Sequence, residues 1–296
     1  MADGEPWIAF QQFLGKSAVM LVRPDGSGLH SPTRTVPGGD QTNPDWSPDG
    51  SRLVFAVASG SHENLWVVNA DGTGARLLAD CTGECANLDD PAWSPDGRSV
   101  LYSRNGTDAA GEVVSSLEQV DVASGASEVL VRAEPGHFYA GQRWSPDGKS
   151  IVLEVVELTG PDASSDVEDV SLAVIDVDSP TPEGRELLGS KRFPETAAWS
   201  PDGSLIVFGA LEAPGQSGTS LYAIKPDGTG LRQLTRDVRS THPELSRDGS
   251  AVLFAATMPG RDSTVLAQVP LDGGEITPAT GPEFIEGVHP RFRPVP

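Results

Sequence analysis

Short apolar runs recur along the chain at regular intervals, and turn residues bound each run. Five of these runs occupy the same place in a repeated unit: Leu53–Phe55, Val100–Tyr102, Ile151–Leu153, Ile206–Phe208 and Val252–Phe254. Short apolar runs between clusters of Gly, Pro and Asp predict β-strands. No apolar run is long enough to span a bilayer, so we expect no membrane insertion.

A five-residue motif precedes each of these runs. Trp-Ser-Pro-Asp-Gly occurs at Trp46–Gly50, Trp93–Gly97, Trp144–Gly148 and Trp199–Gly203, with a degenerate copy at Leu245–Gly249 and a trace at Pro290–Pro294. The five copies from Trp46 to Leu245 start 46 to 55 residues apart. This period fits one four-stranded propeller blade per repeat.

The order of elements within one unit can be read from the first copy. Ser-Pro-Asp-Gly is a turn, because Pro presets φ and Gly accepts positive φ. The preceding Trp46 ends a short strand, and its apolar surface suits packing between neighbouring blades. After the apolar run come a third strand (Leu65–Val68), a second turn (Asp71–Gly74) and a short fourth strand (Arg76–Leu78).

The two ends of the sequence complete one unit between them. Trp7–Phe10 matches a second strand, and Val19–Val22 followed by Asp25–Gly28 matches a third strand and its turn. Val288–Phe292 matches only a first strand. The fold class predicted is therefore all-β, a six-bladed β-propeller of four-stranded antiparallel blades, closed by pairing of the N- and C-terminal strands, which leaves no free sheet edges.

We expect a single domain over residues 1–296. Its blades are predicted at approximately 43–80, 90–132, 141–190, 196–236, 242–280, and 288–296 together with 6–36.

The pairing of Trp-Ser-Pro-Asp-Gly with Asp-Gly-Thr-Gly turns, as at 71–74 and 227–230, resembles the TolB-like six-bladed propeller family, also called WD40-like or PD40 repeats. The resemblance covers nearly the whole chain. For TolB itself it implies a periplasmic protein that binds other envelope proteins. TolB also carries an N-terminal α/β domain, for which this sequence has no room.

The formal net charge of −21 argues against nucleic acid and anionic membrane surfaces as partners, because both need clustered Lys and Arg. It is compatible with a basic protein, a cation or a cationic small molecule, and equally with an acidic surface that only maintains solubility. We expect a monomer that binds a protein partner or a small-molecule ligand.

The cellular compartment that the sequence predicts depends on the redox state of two cysteines. Cys81 and Cys85 lie in the sequence Cys-Thr-Gly-Glu-Cys. A disulfide between them would imply export, whereas two free thiols would imply a reducing compartment. A metal site is least expected, because the sequence has no further ligands at suitable spacing. Met1–Pro6 does not resemble a signal peptide. We expect a periplasmic or extracellular protein whose export signal is missing from this sequence, and a cytoplasmic location stays open.

Variable loops are predicted on one face of the propeller, at 104–113, 157–169 and 211–219. Three histidines on this face precede first strands, which are innermost: His137, His242 and His289. The equivalent register holds Asn43 and Asp90, so we predict a polar ring of Asn43, Asp90, His242 and His289 at the channel mouth, with His137 nearby. These residues could cap strands and bind channel water, bind a ligand or partner, or hold a divalent metal ion through His137, His242, His289 and Asp90.

A second ring is predicted slightly further along the repeat, also at the channel mouth. It contains Asp45, Arg143, Glu244 and Arg291, which could form ion pairs around the channel or bind a charged ligand.

No decisive catalytic motif is present, so the sequence assigns no enzymatic activity. The hypothesis favoured is a non-catalytic binding or scaffolding propeller with its site at the channel mouth. The alternative is a small-molecule enzyme, a metal-assisted lyase, hydrolase or cyclase, that uses the histidine-lined mouth. No cofactor is assigned beyond the candidate divalent ion.

Overall fold

The computed structural model describes residues 5–13, 15–181, 183–188, 192–212, 218–236 and 238–294. Within these ranges the secondary structure consists of strands, turns and bends, and they contain no α-helix. Accordingly, this part of the chain has no helix of the length and apolarity that a membrane crossing requires. Of the predicted variable loop 211–219, residues 213–217 lie outside the described residues.

The strands, in chain order, are β1 (Ile8–Phe13), β2 (Ser17–Val22), β3 (Gln41–Trp46), β4 (Arg52–Ser59), β5 (His62–Asn69), β6 (Arg76–Ala79), β7 (Cys85–Trp93), β8 (Ser99–Thr107), β9 (Val113–Asp121), β10 (Ser127–Arg132), β11 (His137–Trp144), β12 (Ser150–Leu158), β13 (Val167–Asp176), β14 (Arg185–Leu188), β15 (Glu195–Trp199), β16 (Ile206–Leu211), β17 (Thr219–Ile224), β18 (Arg232–Gln233), β19 (Arg239–Leu245), β20 (Ala251–Thr257), β21 (Val265–Pro270), β22 (Thr277–Pro278) and β23 (Val288–Phe292).

Consecutive strands pair antiparallel in groups of four. The groups are β3–β6, β7–β10, β11–β14, β15–β18 and β19–β22. One parallel bridge, Glu63↔Asn87, joins the first two groups into a larger sheet. The apolar runs read from the sequence are the central strands of these groups, as predicted.

The two ends of the chain pair with each other. β1 pairs with β2 on one side and with β23 on the other, both antiparallel. The predicted fourth strand at this end is only an isolated bridge, Leu21↔His30, so this sheet has three strands instead of the four expected. Pro32 lies two residues beyond His30 and has no N–H to donate to a ladder, which is consistent with the short pairing.

The repeated turn is confirmed at every copy. In the first, Ser47 Oγ donates to Asp49 Oδ1 at 2.6 Å and Gly50 N donates to Ser47 O at 2.8 Å. Equivalent bonds recur in the degenerate fifth copy, from Ser246 Oγ to Asp248 Oδ1 at 2.7 Å and from Gly249 N to Ser246 O at 2.8 Å. The serine therefore holds the aspartate side chain, and the glycine closes the turn.

The hydrophobic core lies between neighbouring sheets. On one side, Trp7, Ala9 and Leu21 pack in a cluster with Trp46 and Phe55 of the first four-strand group. On the other side, Phe10 packs with Leu253 and Leu266 of the last four-strand group. The N-terminal strands thus contact both the first and the last group. Aromatic and branched side chains fill these interfaces, as the tryptophan of the motif predicted.

Candidate functional site

A β-bulge interrupts each first strand at the same place. Ladder register shifts between Thr42 and Asp45 in β3, with equivalent shifts in β7, β11, β15 and β19. The residues at this point have positive φ: Asn43 (50°), Asp90 (50°), Gly141 (62°), Thr196 (44°), His242 (54°) and His289 (51°). These six positions, called here the bulge register, are the equivalent positions that the repeat predicts.

Five non-glycine residues adopt the left-handed conformation at the same position of their units, so this conformation is a regular feature of the repeat. Each costs of order 1–3 kcal/mol and persists only where the surroundings impose it, most often at functional sites. Bulges also redirect side chains next to active or binding sites. The repeat therefore aims one side chain per unit toward the same region.

Side chains of the bulge register link neighbouring groups. Asp90 Oδ2 accepts from Gly141 N at 2.8 Å, and Thr196 Oγ1 accepts from His242 N at 2.8 Å. Asn43 Nδ2 donates to Asp90 Oδ1 at 3.0 Å and to Asp89 Oδ1 at 2.6 Å. The side chain of one unit thus binds the next, which orients the predicted polar ring.

Gly141 breaks this pattern, and Glu154 takes its place. The Glu154 carboxylate reaches from β12 and accepts from Thr196 N at 2.5 Å, the bond that a side chain at 141 would otherwise make. A Cβ atom at Gly141 would collide with Glu154 Oε1. Burial raises the pKa of Glu154 to about 8, so this group is largely protonated at neutral pH.

The two histidines of the bulge register are in contact. Their ring centroids are 3.7 Å apart and the planes are tilted by 48°. Burial, followed by the charge of Arg143, lowers the pKa of His289 to about 3. Burial and the neighbouring His289 lower the pKa of His242 well below its usual value. Both imidazoles are therefore neutral and each can accept a hydrogen bond.

The bulge register opens into a cavity of about 370 Å³, called here the mouth cavity. Its lining residues are Gln11, Thr42, Asn43, Glu63, Asp89, Asp90, Ala140, Glu154, Glu195, Thr196, His242 and His289. Five are acidic and none is Lys or Arg. Burial raises the pKa of Glu63 and of Glu195, and burial with the neighbouring Asp90 raises the pKa of Asp89 to about 7.

Sequence reasoning found four members of this cavity and missed the other acids. Asn43, Asp90, His242 and His289 lie together as predicted. Glu154 carried a signal, because a charge inside the apolar strand Leu153–Val155 needs an explanation. Glu63 and Glu195 gave none, since only the packing of separate units brings them to the mouth.

His137, predicted to lie near the other histidines, does not line the mouth cavity with them. It lines a separate cavity of about 420 Å³ with Glu134 and Glu157. The reason is that His137 begins β11, four residues before the bulge, and pairs there with Glu157. The four-ligand metal set is not assembled: among the residues described, no group of three or more His, Cys, Asp or Glu is arranged to hold a metal ion.

The four residues of the second predicted ring do not line the mouth cavity, and three of them, Asp45, Arg143 and Glu244, line a different cavity. Arg291 is 4% exposed, and its Nε and Nη1 atoms lie 3.8 Å from Asp45 Oδ1 and 3.9 Å from Glu244 Oε2. Arg143 Nη1 donates to Gln142 O at 2.6 Å. Burial raises the pKa of Asp45 to about 6 and that of Glu244 to about 8.

Cys81 and Cys85 form a disulfide, with both residues buried. Asn64 Oδ1 accepts from Cys81 N at 2.8 Å and so anchors the loop. Of the alternatives left open by the sequence, the bridged pair is the one that the structure contains. Neither cysteine lines the mouth cavity.

Comparison with known proteins adds a family match. The family model described as PD40, TolB beta propeller domain, matches residues 2–228. An uncharacterized peptidase, YuxL of Bacillus subtilis, is 30% identical over 161 residues, which are 44% of this chain and 24% of YuxL. The Tol-Pal system protein TolB of Anaeromyxobacter dehalogenans is 48% identical over 48 residues, 16% of this chain and 10% of that protein. The chain thus spans a quarter or less of the curated relatives it matches.

Solved structures with similar folds have more distant sequences. TolB from Acinetobacter baumannii aligns over 99% of this chain and 67% of its own, with a TM-score of 0.67 and 14% identity. A putative TolB from Agrobacterium tumefaciens aligns over 97% and 91%, with a TM-score of 0.61 and 19% identity. An oligogalacturonate lyase in complex with manganese aligns over 93% and 73%, with a TM-score of 0.56 and 18% identity. At these identities the likeness describes the propeller fold alone.

Proposed function

Because the chain belongs to the TolB beta propeller domain family, we propose that it is a non-catalytic binding propeller that holds a positively charged group in the mouth cavity. The proposed ligand is a basic segment of a protein partner. A cationic small molecule would present the same positively charged group.

The binding platform is proposed to be a single domain of six blades closed into a ring. Five blades are the four-strand groups, and the sixth is β23 with β1 and β2. Its support is the pairing of β1 with β23 and the packing of the N-terminal strands against both the first and the last group. A closed ring holds the bulge register rigid, and rigid scaffolds with variable loops are where binding sites commonly lie.

The observation that carries the proposal is a set of buried side-chain atoms in the mouth cavity that have no partner and can accept a hydrogen bond, the histidine in the tautomer that leaves Nδ1 unprotonated. Gln11 Oε1, Glu195 Oε1 and His289 Nδ1 have no hydrogen-bond partner among the described residues. Leaving such atoms buried and unpaired costs about 1–3 kcal/mol each. An ammonium or guanidinium group donates several hydrogen bonds and accepts none, so it matches a cavity of acceptors and carboxylates that lacks Lys and Arg.

The first experiment is calorimetric titration with tetra-lysine, with tetra-glutamate as the peptide of opposite charge. We expect tetra-lysine to bind with 1:1 stoichiometry. The double variant Glu63→Gln/Glu195→Gln should lose at least about tenfold in affinity, the effect of roughly 1.4 kcal/mol.

The matched control is Glu128→Gln/Glu168→Gln, which removes the same charge from exposed strand positions. If this control loses as much affinity as the cavity variant, the attraction is only that of a chain with net charge −21, and the proposed site is refuted.

A metal-assisted enzyme is the second candidate, favoured by the His242–His289 contact and the fold shared with the manganese-bound lyase. The side chains as they stand do not fit a metal, because His137 lies elsewhere. Metal analysis of the purified protein, with His242→Ala and His289→Ala, tests it. Stoichiometric metal that both variants lose would favour this candidate over the binding platform.

We further propose that the protein works as a monomer outside the cytoplasm, in the periplasm or the extracellular space. The disulfide supports this location, because such bonds persist in oxidising compartments.

A further inference from the structure

A second cavity, of about 620 Å³, lies at the end of the molecule where the Ser-Pro-Asp-Gly turns meet. The four tryptophans that begin the repeats and the prolines of their turns line it. This space is called here the tryptophan cavity. Its volume is in the range of small-molecule sites. Its lining combines the aromatic rings with six charged residues: Asp45, Asp49, Arg143, Glu244, Arg247 and Arg293.

The degenerate fifth repeat contributes the two departures from the motif. Leu245 replaces the tryptophan and Arg247 replaces the proline, and both line the tryptophan cavity. The turn itself keeps its hydrogen bonds, so folding does not require arginine there. Proline at this turn position would restrict the unfolded chain and favour the native state. The exchange therefore places a cation at the exposed edge of the cavity at some expense of stability.

Arg143 lines the tryptophan cavity and, among the described residues, makes no ion pair within 4 Å, although its charge opposes the rise in pKa of the nearby Asp45 and Glu244. Its Nη1 donates to backbone oxygens of Gln142 and Asp90, at 2.6 and 3.5 Å, while its Nε has no partner among the described residues. Of the carboxylates that line the same cavity, Asp45 and Glu244 have ion contacts with Arg291, while Asp49 accepts hydrogen bonds within its own turn.

Protonation reduces the negative charge near Arg143. Burial raises the pKa of Glu244 to about 8, so at neutral pH this group carries a proton and can itself donate a hydrogen bond. Asp45, with its pKa raised to about 6, is mostly ionised and offsets Arg291. The charge of Arg143 acts on both carboxyl groups, yet its Nε atom has no hydrogen-bond partner among the described residues, and a buried donor left unpaired is costly.

We propose that the tryptophan cavity binds a small organic carboxylate with a flat apolar body. The carboxylate would pair with the Arg143 guanidinium, whose planar fork suits bidentate binding of a carboxylate. The aromatic walls would pack against the apolar body, and Arg247 would attract the anion at the rim. This ligand is opposite in charge to that proposed for the mouth cavity, so the two sites are independent.

The test is calorimetric titration with 2-naphthoate, with 2-naphthamide as the uncharged ligand of the same shape. We expect 1:1 binding of naphthoate, at least about tenfold weaker binding of naphthamide, and a similar loss for naphthoate in Arg143→Gln, because both changes remove the charged pair. Quenching of tryptophan emission should follow the same titration curve, since four tryptophans line this cavity.

Two further variants keep the test decisive if Arg143→Gln does not fold. Arg247→Pro restores the repeat motif, should fold at least as well as the natural chain, and is expected to weaken naphthoate about threefold without affecting naphthamide, the ordinary effect of an exposed charge. Arg98→Ala, which removes an exposed cation outside the cavity, should change neither affinity.

Glu63→Gln/Glu195→Gln should leave naphthoate binding unchanged, which separates this proposal from that for the mouth cavity. Absence of saturable naphthoate binding would overturn the inference. So would equal affinities for naphthoate and naphthamide, or an Arg247→Pro variant that binds both as the natural chain does.

Discussion

Gly141 is the position of the bulge register that carries no side chain, and Glu154 depends on that absence. Replacing Gly141 by Ala should destabilise the protein by about 2–4 kcal/mol, the sum of left-handed backbone strain and overpacking against Glu154 Oε1. Urea unfolding followed by circular dichroism measures the loss. The matched control is Gly136→Ala, which has φ of +80° but no atom closer than 3.8 Å to the added Cβ, and should cost only about 1–2 kcal/mol.

A double-mutant cycle tests the stated cause. In a Glu154→Ala background the colliding carboxylate is gone, so Gly141→Ala should cost no more than Gly136→Ala. An equal cost of Gly141→Ala in both backgrounds would show that Glu154 is not what requires glycine at this position.

Glu154 should also make stability depend on pH. Its pKa is about 8 when folded, against an ordinary 4.5, so the unfolded chain loses this proton first as pH rises. The stabilisation is complete below about pH 4.5 and is lost progressively up to about pH 8, with a slope of at most about 1.4 kcal/mol per pH unit from this group. Glu154→Gln should therefore gain stability relative to the natural chain between pH 5 and about 8.

Denaturant unfolding at several pH values measures this difference. Glu168→Gln, at an exposed position of β13, is the control and should follow the natural chain across the range. A constant offset between Glu154→Gln and the natural chain would contradict the assigned role of Glu154.

Among the elements, the loop between β6 and β7 is held by the Cys81–Cys85 disulfide. The bridge closes a short loop, so chain-entropy arguments predict that the double variant Cys81→Ala/Cys85→Ala loses only about 2 kcal/mol. Reduction of the natural chain should produce the same loss in a thermal or urea unfolding experiment.

Thiol titration gives the second measurement of the bridge. The chain has 2 cysteines, and neither should react in unreduced protein, whether native or unfolded. Two reactive thiols in the unfolded, unreduced protein would contradict the bridge and remove its support for a location outside the cytoplasm.

Turns and central strands were the elements most open to prediction from the sequence. The Ser-Pro-Asp-Gly turn is fixed by local bonds such as Ser47 to Asp49, and apolar runs such as Leu53–Phe55 are fully buried, so local patterns carry the information. The bulge register could also be located by counting back from the repeat motif, because each of its residues precedes the motif's tryptophan position by three residues.

The remaining site residues depend on contacts between units. Glu154 is at the mouth because Gly141, on the neighbouring strand, leaves space for it. His137 was expected near the ring because it too precedes a first strand, yet it lies four residues ahead of the bulge and lines another cavity. Register within a strand decides such cases, and a one-residue shift changes the face that a side chain occupies.

For the whole molecule, the ends of the chain meet at Arg293. Its backbone N donates to Trp7 O at 2.7 Å, its Nε to Gly50 O at 2.8 Å and its Nη1 to Glu5 O at 3.1 Å. The residue therefore ties β23 to the N-terminal segment and to the first repeat turn. In a closed ring these contacts complete the structure, whereas in an open array they would be an end effect.

Arg293→Ala keeps the backbone bond and removes the charge-assisted side-chain bonds to Gly50 O and Glu5 O. We expect a loss of about 2–3 kcal/mol in the free energy of unfolding, with one cooperative urea transition for all sheets, because a weakened closure destabilises every blade at once. Arg98→Ala removes the same charge from a side chain that is 84% exposed, and should stay within about 0.5 kcal/mol of the natural chain. If Arg293→Ala instead frays only β1, β2 and β23 in hydrogen exchange while the other strands keep full protection, the sheets form an open array and the proposed ring closure fails.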